Sequence, residues 1–287
     1  MTTRLLKTGN KTTLLAIGIC ASVVISSLVV YFYFPPKPNP IAAEAFRLTN
    51  ATLNYFWDHN ADLFRAPVKS TESVDSEGDF NNGYTFWPSI LMFIALADAE
   101  LSFPHRFNVK LLEVFKGLEQ YYDPGVHAYN GWVMFPGNND KYYDDNGLAI
   151  LGLVKAYLAT KDQRYFTRAN EIMDSFMKGG WDASGSPGGM RWGTFSESHP
   201  HTDRNACSTA LAAISALLLA QQGVNREGNI AWATQLLEWI RSNLLDPSDN
   251  LVQDGLWWDS TTASWSLNPM KWTYNTGNTL WGYVLLS

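Results

Sequence analysis

Tyr142-Tyr143-Asp144-Asp145-Asn146-Gly147 leads straight into Leu148-Ala149-Ile150-Leu151-Gly152-Leu153-Val154, and this junction decides how the chain is read. A segment apolar on nearly every side has no face to offer water, so it belongs inside a larger body. Charge beside such a run is costly unless it is paired, hydrogen-bonded or put to chemical use. Two neighbouring carboxyls also resist ionising together, which drives their pKa values apart. Taken alone, Asp at a helix start is an N-cap. The rest of the chain supplies the second reading.

Two more segments are apolar almost all round, Trp87 to Ala99 and Ala206 to Ala220, and with Leu148 to Ala159 they form a set of buried helices. Between them lie helices with one apolar stripe. One carries Phe107, Leu111, Leu112, Phe115 and Leu118; the next Phe166, Ala169, Met173, Phe176 and Met177; the third Trp232, Leu236, Leu237 and Ile240. Another stripe precedes them near Phe46 to Trp57. Buried and striped helices alternate with a period of about sixty residues, the mark of a repeat architecture. An inner ring of buried helices wrapped by striped ones is an all-α toroid of α/α hairpins. A generic bundle around one core helix is the competitor, and three buried helices at regular spacing disfavour it.

The connections are unequal. Inner helices pass to outer ones through short links such as Phe103-Pro104-His105-Arg106 and Thr160-Lys161-Asp162. The return runs Tyr121 to Tyr143, Gly179 to Arg204 and Asp246 to Tyr274 are long and rich in Trp and Gly, which marks functional loops. All of them end at inner-helix N-termini, which therefore share one face. Four starts meet there: Tyr84-Thr85-Phe86-Trp87, Tyr143-Asp144-Asp145-Asn146, Asp203-Arg204-Asn205 and Trp272-Thr273-Tyr274-Asn275. Helix N-termini favour carboxylates. The loops add Trp132, Gly188-Gly189-Met190-Arg191-Trp192 and Asp254-Gly255-Leu256-Trp257-Trp258. The expected result is a concave aromatic pocket with a carboxylate pair on its floor, suited to a small molecule or a glycan. Singly, Asp203 and Asp254 are ordinary turn residues, Arg191 pairs with any acidic neighbour, and a lone Trp is core.

The composition agrees. With 287 residues and a net charge of −6, the chain lacks the basic field that nucleic acid requires. Its 14% aromatic content suits the stacking of sugar faces. No Ser-His-Asp set, zinc motif or phosphate-binding Gly loop is present, and no cage of oxygen ligands justifies a metal, so no cofactor is expected. Cys20 and Cys207 lie in separate apolar contexts and do not pair. Leu14 to Phe34 is uncharged and long enough for a bilayer, with Arg4, Lys7 and Lys11 before it and Pro35-Pro36-Lys37-Pro38 after. Positive charge ahead of the span keeps the N-terminus cytosolic. The expected layout is a cytosolic tail (1–12), a transmembrane signal anchor (13–34), a Pro-rich linker (35–42) and a toroid domain (43–287) outside the cell or in the lumen. Cleavage near Ala42-Ala43, releasing a secreted form, is the alternative. Asn50-Ala51-Thr52 would then be a glycosylation acceptor.

Tyr143-Asp144-Asp145-Asn146, the Gly188-Gly189-Met190-Arg191-Trp192 loop, Arg204-Asn205-Ala206 and Trp272-Thr273-Tyr274-Asn275-Thr276-Gly277 together resemble glycoside hydrolase family 76. The resemblance runs in order from about Ala43 to the end of the chain. It implies an (α/α)6 toroid, an endo-α-1,6-mannanase activity and an α-mannan substrate, and a monomer is expected. By that resemblance Asp144 is the nucleophile and Asp145 the general acid/base of a retaining glycosidase. The helix start would hold Asp144 ionised, while the Asp144 charge and the apolar wall would raise the pKa of Asp145. Trp87, Trp192 and Tyr274 would flank the mannose chain, Tyr143 would join them, and Arg204, Asn205, Asp254 and Asn275 would bind hydroxyls. Thr276 departs from the glutamine found in many members, so a hydroxyl contact would differ. The ring also departs, with about four of the six hairpins expected of an (α/α)6 toroid. Two other functions stay open: a transglycosidase that remodels wall or anchor glycans, and a non-catalytic glycan-binding protein.

Overall fold

A computed structural model describes residues 40–65, 84–132, 140–183, 188–194, 203–259 and 261–287 of the chain. The expected tail and anchor lie outside the described residues, and among those described no helix is long and apolar enough to cross a membrane. Residues Met1–Leu48 and Thr49–Ser287 form separate units. The first is described only in the opening of helix α1 (Pro40–Phe56), which has no buried residue.

The second unit is helical, consistent with the α/α toroid. Its helices are α2 (Phe86–Ser102), α3 (Asn108–Leu118), α4 (Tyr143–Thr160), α5 (Gln163–Ser175), α6 (Ala206–Gln221), α7 (Arg226–Asn243) and α8 (Thr273–Leu286). The inner helices α2, α4, α6 and α8 pack in sequence, each on the next, while α3, α5 and α7 pack outside their preceding partners. The apolar runs explain this order. Nearly every residue of α6 is buried, as is α4 from Asp145 to Val154, so neither has a side left for water. Each fully buried Leu or Ile there contributes about 1.5–3 kcal/mol. Gly147 lets α4 and α6 approach closely, since a Cβ on it would sit 2.8 Å from that of Leu211. The stripe of α5 is set by Tyr165, Ala169, Ile172 and Met173, one position off the expected Phe166, which is only half-buried. In α8 only Asn275, Thr279 and Gly282 are buried, and Leu280 and Val284 face solvent.

Turn chemistry produces the short links. Lys161 closes α4 in the left-handed region (φ 61°), and the Asp162 carboxylate then accepts from Arg164 N at 3.0 Å to start α5. After α2, buried Glu100 accepts the backbone N–H groups of His105 (2.6 Å) and Phe107 (2.7 Å), which fixes the turn into α3.

The long return segments carry a second repeat that positions the site. Each outer helix is followed by a bridged pair of extended residues: Trp57 with Phe64, Tyr122 with Tyr129, Trp181 with Met190, and Leu245 with Val252. An aspartate follows the first residue of each pair, and its Oδ2 takes a donor two residues ahead of the next inner helix. Asp58 accepts from Tyr84 Oη (2.8 Å), and Asp123 pairs with Lys141 Nζ (2.9 Å). Asp182 pairs with Arg204 (2.5 Å) and Asp246 with Lys271 Nζ (2.6 Å). The first N–H of an inner helix is then spent on the loop leading to the following one. Phe86 N donates to Gly131 O (2.9 Å), Tyr143 N to Trp192 O (2.8 Å) and Ala206 N to Asp254 O (2.8 Å). These bonds satisfy donors that a helix start leaves orphaned and hold the loops before α4, α6 and α8 to one rim.

Candidate active site

The inner-helix N-termini surround a cavity of about 710 Å³. Its lining follows one rule: the second and sixth residues of every inner helix face it. These are Trp87 and Leu91 in α2, Asp144 and Leu148 in α4, Cys207 and Leu211 in α6, and Tyr274 and Asn278 in α8. Positions four apart share a helix face, so one geometric register repeated around the ring builds floor and walls together. Trp132, Tyr142 and Trp192 form an aromatic wall, with ring centroids 5.7 and 5.1 Å apart in succession, and Trp272 stacks on Tyr274. Trp87 is 56% exposed, a ring free to take a ligand's face.

The same register explains which expected residues turn away. Side chains one position apart on a helix diverge by about 100°, so Tyr143, the first residue of α4, does not join Asp144. It is buried and stacks on Phe176 at 4.5 Å, over Gly180. Arg204, 2% exposed, is clamped to Asp182 and lies over the Trp265 ring. Burial draws the pKa of its guanidinium down, and the Asp182 charge draws it back. Asn205 serves through its backbone, bridged to Gly255 and accepting the Thr209 hydroxyl at its carbonyl. Asp254 takes Asn268 on one oxygen (2.8 Å) and Asn275 on the other (3.2 Å). Tyr143, Arg204, Asn205, Asp254 and Asn275 therefore stand in the wall behind the cavity, without lining it. Thr276, where a hydroxyl contact to ligand was expected to differ, accepts Val252 N at 3.0 Å. Asn146 holds the floor: it accepts Tyr129 N (2.8 Å) and donates to Tyr129 O and Tyr142 O.

Trp87, Trp192, Tyr274, Asp144 and Asp145 do line the cavity. Asp145 is 6% exposed, and no described residue forms a hydrogen bond or ion pair with its carboxyl. Burial, followed by the neighbouring Asp144 charge, raises its pKa well above the usual carboxylate value. Asp144 is also raised by burial, but less. The Cys207 thiol, the backbone N–H groups of Asp145 and Asp144, and the Trp192 side chain favour its ionised form. Asp144 was expected to be held ionised by the helix start; burial instead raises its pKa, against the Cys207 hydrogen bond first and the backbone N–H groups after it. Cys207, passed over in the sequence, donates its S–H to Asp144 Oδ2 at 3.4 Å. The signal for it was its place as second residue of the third inner helix. Among the described residues no cluster of three metal-binding side chains occurs.

Inner helices whose N-termini converge on a carboxylate pair and aromatic walls are consistent with an α/α-toroid fold. The chain belongs to glycosyl hydrolase family 76, whose family model matches residues 41–287. It is 31% identical over 250 residues to the meiotically up-regulated gene 191 protein of Schizosaccharomyces pombe, an alignment covering 85% of this chain and 54% of that protein. Its fold matches the family 76 mannosidase Bt3792 of Bacteroides thetaiotaomicron, with TM-score 0.70, 23% identity, and 86% and 66% of the two chains covered. It also matches an inactive variant of the α-1,6-mannanase GH76A of Salegentibacter sp. HEL1_6 in complex with α-1,6-mannotriose. That variant carries asparagine at two consecutive aspartates; TM-score is 0.68, identity 23%, and coverage 85% of this chain and 64% of that one. The chain spans about half the length of the curated relative.

Proposed function

We propose that this chain carries the catalytic site of a glycoside hydrolase that cleaves α-1,6-linked mannan with retention, using Asp144 as nucleophile and Asp145 as general acid/base. The observation that carries this reading is Asp145 itself: a nearly buried carboxyl with no partner among the described residues, its pKa raised well above the usual value, beside a second carboxyl whose ionised form hydrogen-bond donors favour. That is the division of labour that double displacement needs. Asp144 attacks the anomeric carbon of one mannose while Asp145 gives its proton to the departing O6 of the next. A water molecule then cleaves the mannosyl ester, and Asp145 takes the water's proton as it attacks. The inactivated GH76A, altered at two consecutive aspartates and bound to α-1,6-mannotriose, supports both the site and the substrate.

Trp87 and the Trp132–Tyr142–Trp192 wall offer apolar faces to the sugar rings. The test is release of oligosaccharides from linear α-1,6-mannan, with the anomer of the first product read by NMR. An α-anomer supports retention and a β-anomer overturns it. Adding a mannan acceptor separates hydrolysis from transfer. We also propose, on the Leu14 to Phe34 span alone, that the protein is a type II membrane protein with this domain outside the cytosol. Protease protection in sealed microsomes tests that placement.

A further inference from the structure

The second position of an inner helix is a cavity position in every case: an exposed Trp in α2, a carboxylate in α4, a Tyr in α8. In α6 it is Cys207, 6% exposed, with Sγ 3.4 Å from Asp144 Oδ2. A small apolar filler would satisfy packing at that point, yet the residue present is a donor aimed at the carboxylate. Beside it stands the Asp145 carboxyl, which has no partner among the described residues and faces the same cavity. We propose that Cys207 is a positioning residue for Asp144: its S–H holds Oδ2, fixing the carboxylate's rotamer toward the bound sugar. A thiol is a weak donor, so it orients the carboxylate without quenching its nucleophilicity as a hydroxyl or an ammonium would. This assignment rests on the glycosidase reading for its consequence, although the contact itself does not.

The thiol remains protonated across the working range, because burial and then the Asp144 charge push its pKa well up. The groups facing this contact are Asp145 on the same helix, Trp192, Tyr274 at the start of α8, and Asp254 ahead of it. Loss of the thiol removes a donor that favours ionised Asp144. The apparent pKa of the acid limb of kcat/KM therefore rises in Cys207→Ala by up to about one unit, the size of one modest hydrogen bond. kcat falls about tenfold with little change in KM, as expected for lost positioning of a reacting group. Cys207→Ser, which keeps a donor, brings the acid limb back to or below the wild-type value.

The experiment uses the full chain with Cys20→Ser, leaving Cys207 as the single thiol. Its infrared S–H stretching band is recorded across pH, with and without Asp144→Asn, alongside the kcat/KM profiles of the two Cys207 variants on linear α-1,6-mannan. We expect the band to move to lower frequency as Asp144 ionises, and to lose that pH dependence in Asp144→Asn. A band indifferent to pH in the parent protein overturns the proposal, as does a Cys207→Ala pH profile that coincides with the parent's. If Cys207→Ala fails to fold, the S–H band decides, and a Cys207→Ser acid limb raised above the parent's overturns the proposal. If the parent turns over no mannan, the glycosidase reading fails, and the S–H titration alone still supports or overturns the contact.

Discussion

The Arg204 guanidinium meets the Asp182 carboxylate at 2.5 Å, two residues ahead of α6, so a residue expected to bind sugar is a fastener of the rim. It stands in register with Tyr84, Lys141 and Lys271, each bound to the aspartate of its own hairpin. Replacing Asp182 by Ala leaves a buried guanidinium without its carboxylate. We expect a loss of about 3–5 kcal/mol, the range for breaking a buried pair from one side, measured by urea unfolding. Arg204→Ala should act likewise on stability; a raised KM at unchanged stability would restore the sugar-binding role.

The clamps also set the acid limit of the fold. The Tyr84 hydroxyl holds Asp58 below the usual carboxylate pKa, and Lys141 and Lys271 do the same for Asp123 and Asp246. A folded-state pKa below the unfolded one means stability that is present above the unfolded value, about 4, and is lost as pH falls through the folded value. Melting temperature should therefore drop below about pH 4, and Asp123→Asn should drop less steeply than wild type across that window. Equal slopes would show that Asp123 contributes nothing to the acid transition.

For Asp145 the sign reverses. Its folded pKa lies well above the unfolded one, so the folded state keeps a proton that the unfolded state has lost, and stability declines as pH rises between the two values. Asp145→Asn removes that decline. The variant should match wild type below about pH 4 and melt higher near pH 7, by ~2–4 °C for each kcal/mol relieved. The same variant should lose the alkaline limb of activity along with most of kcat. A melting difference independent of pH would contradict the assigned protonation.

Asn146 fastens the hairpin before α4 to the carboxylate pair through three hydrogen bonds with no exposure to water. Asn146→Ala leaves the Tyr129 N–H and carbonyl buried and unpaired. A cost of about 2–4 kcal/mol follows, readable by chemical denaturation. Asn146→Asp should also fail, since a carboxylate cannot donate to the Tyr129 and Tyr142 carbonyls.

The inner and outer helices, and their convergence on one face, were legible because burial all round leaves a run of apolar residues that no surface helix tolerates. Asp144, Asp145, Trp87 and Tyr274 were legible for a related reason: each stands where such a run begins. Tyr143 and Asn275 sit one residue from Asp144 and Tyr274 but turn to the wall, since one step along a helix changes the face, while Arg204, Asn205 and Asp254 lie in the loops ahead of α6 and α8 and are taken up by Asp182, Gly255 and Asn268. Cys207 occupies the right position in a residue type that carries no charge to notice. The clamps were illegible for a different reason. Their partners come from separate loops, and Tyr, Lys, Arg and Lys fill one geometric role with three chemistries.

The central claim is that Asp144 and Asp145 perform glycosidic chemistry on α-1,6-mannan, and Asp144→Asn tests it most directly. Asparagine fills the same space and keeps the Cys207 and Trp192 surroundings, but it cannot form a mannosyl ester. Oligosaccharide release from linear α-1,6-mannan by the full chain should fall at least about a thousandfold, with mannan binding retained. Turnover that survives Asp144→Asn at near the wild-type rate would contradict the site. Binding without turnover in both wild type and variant would contradict the enzyme.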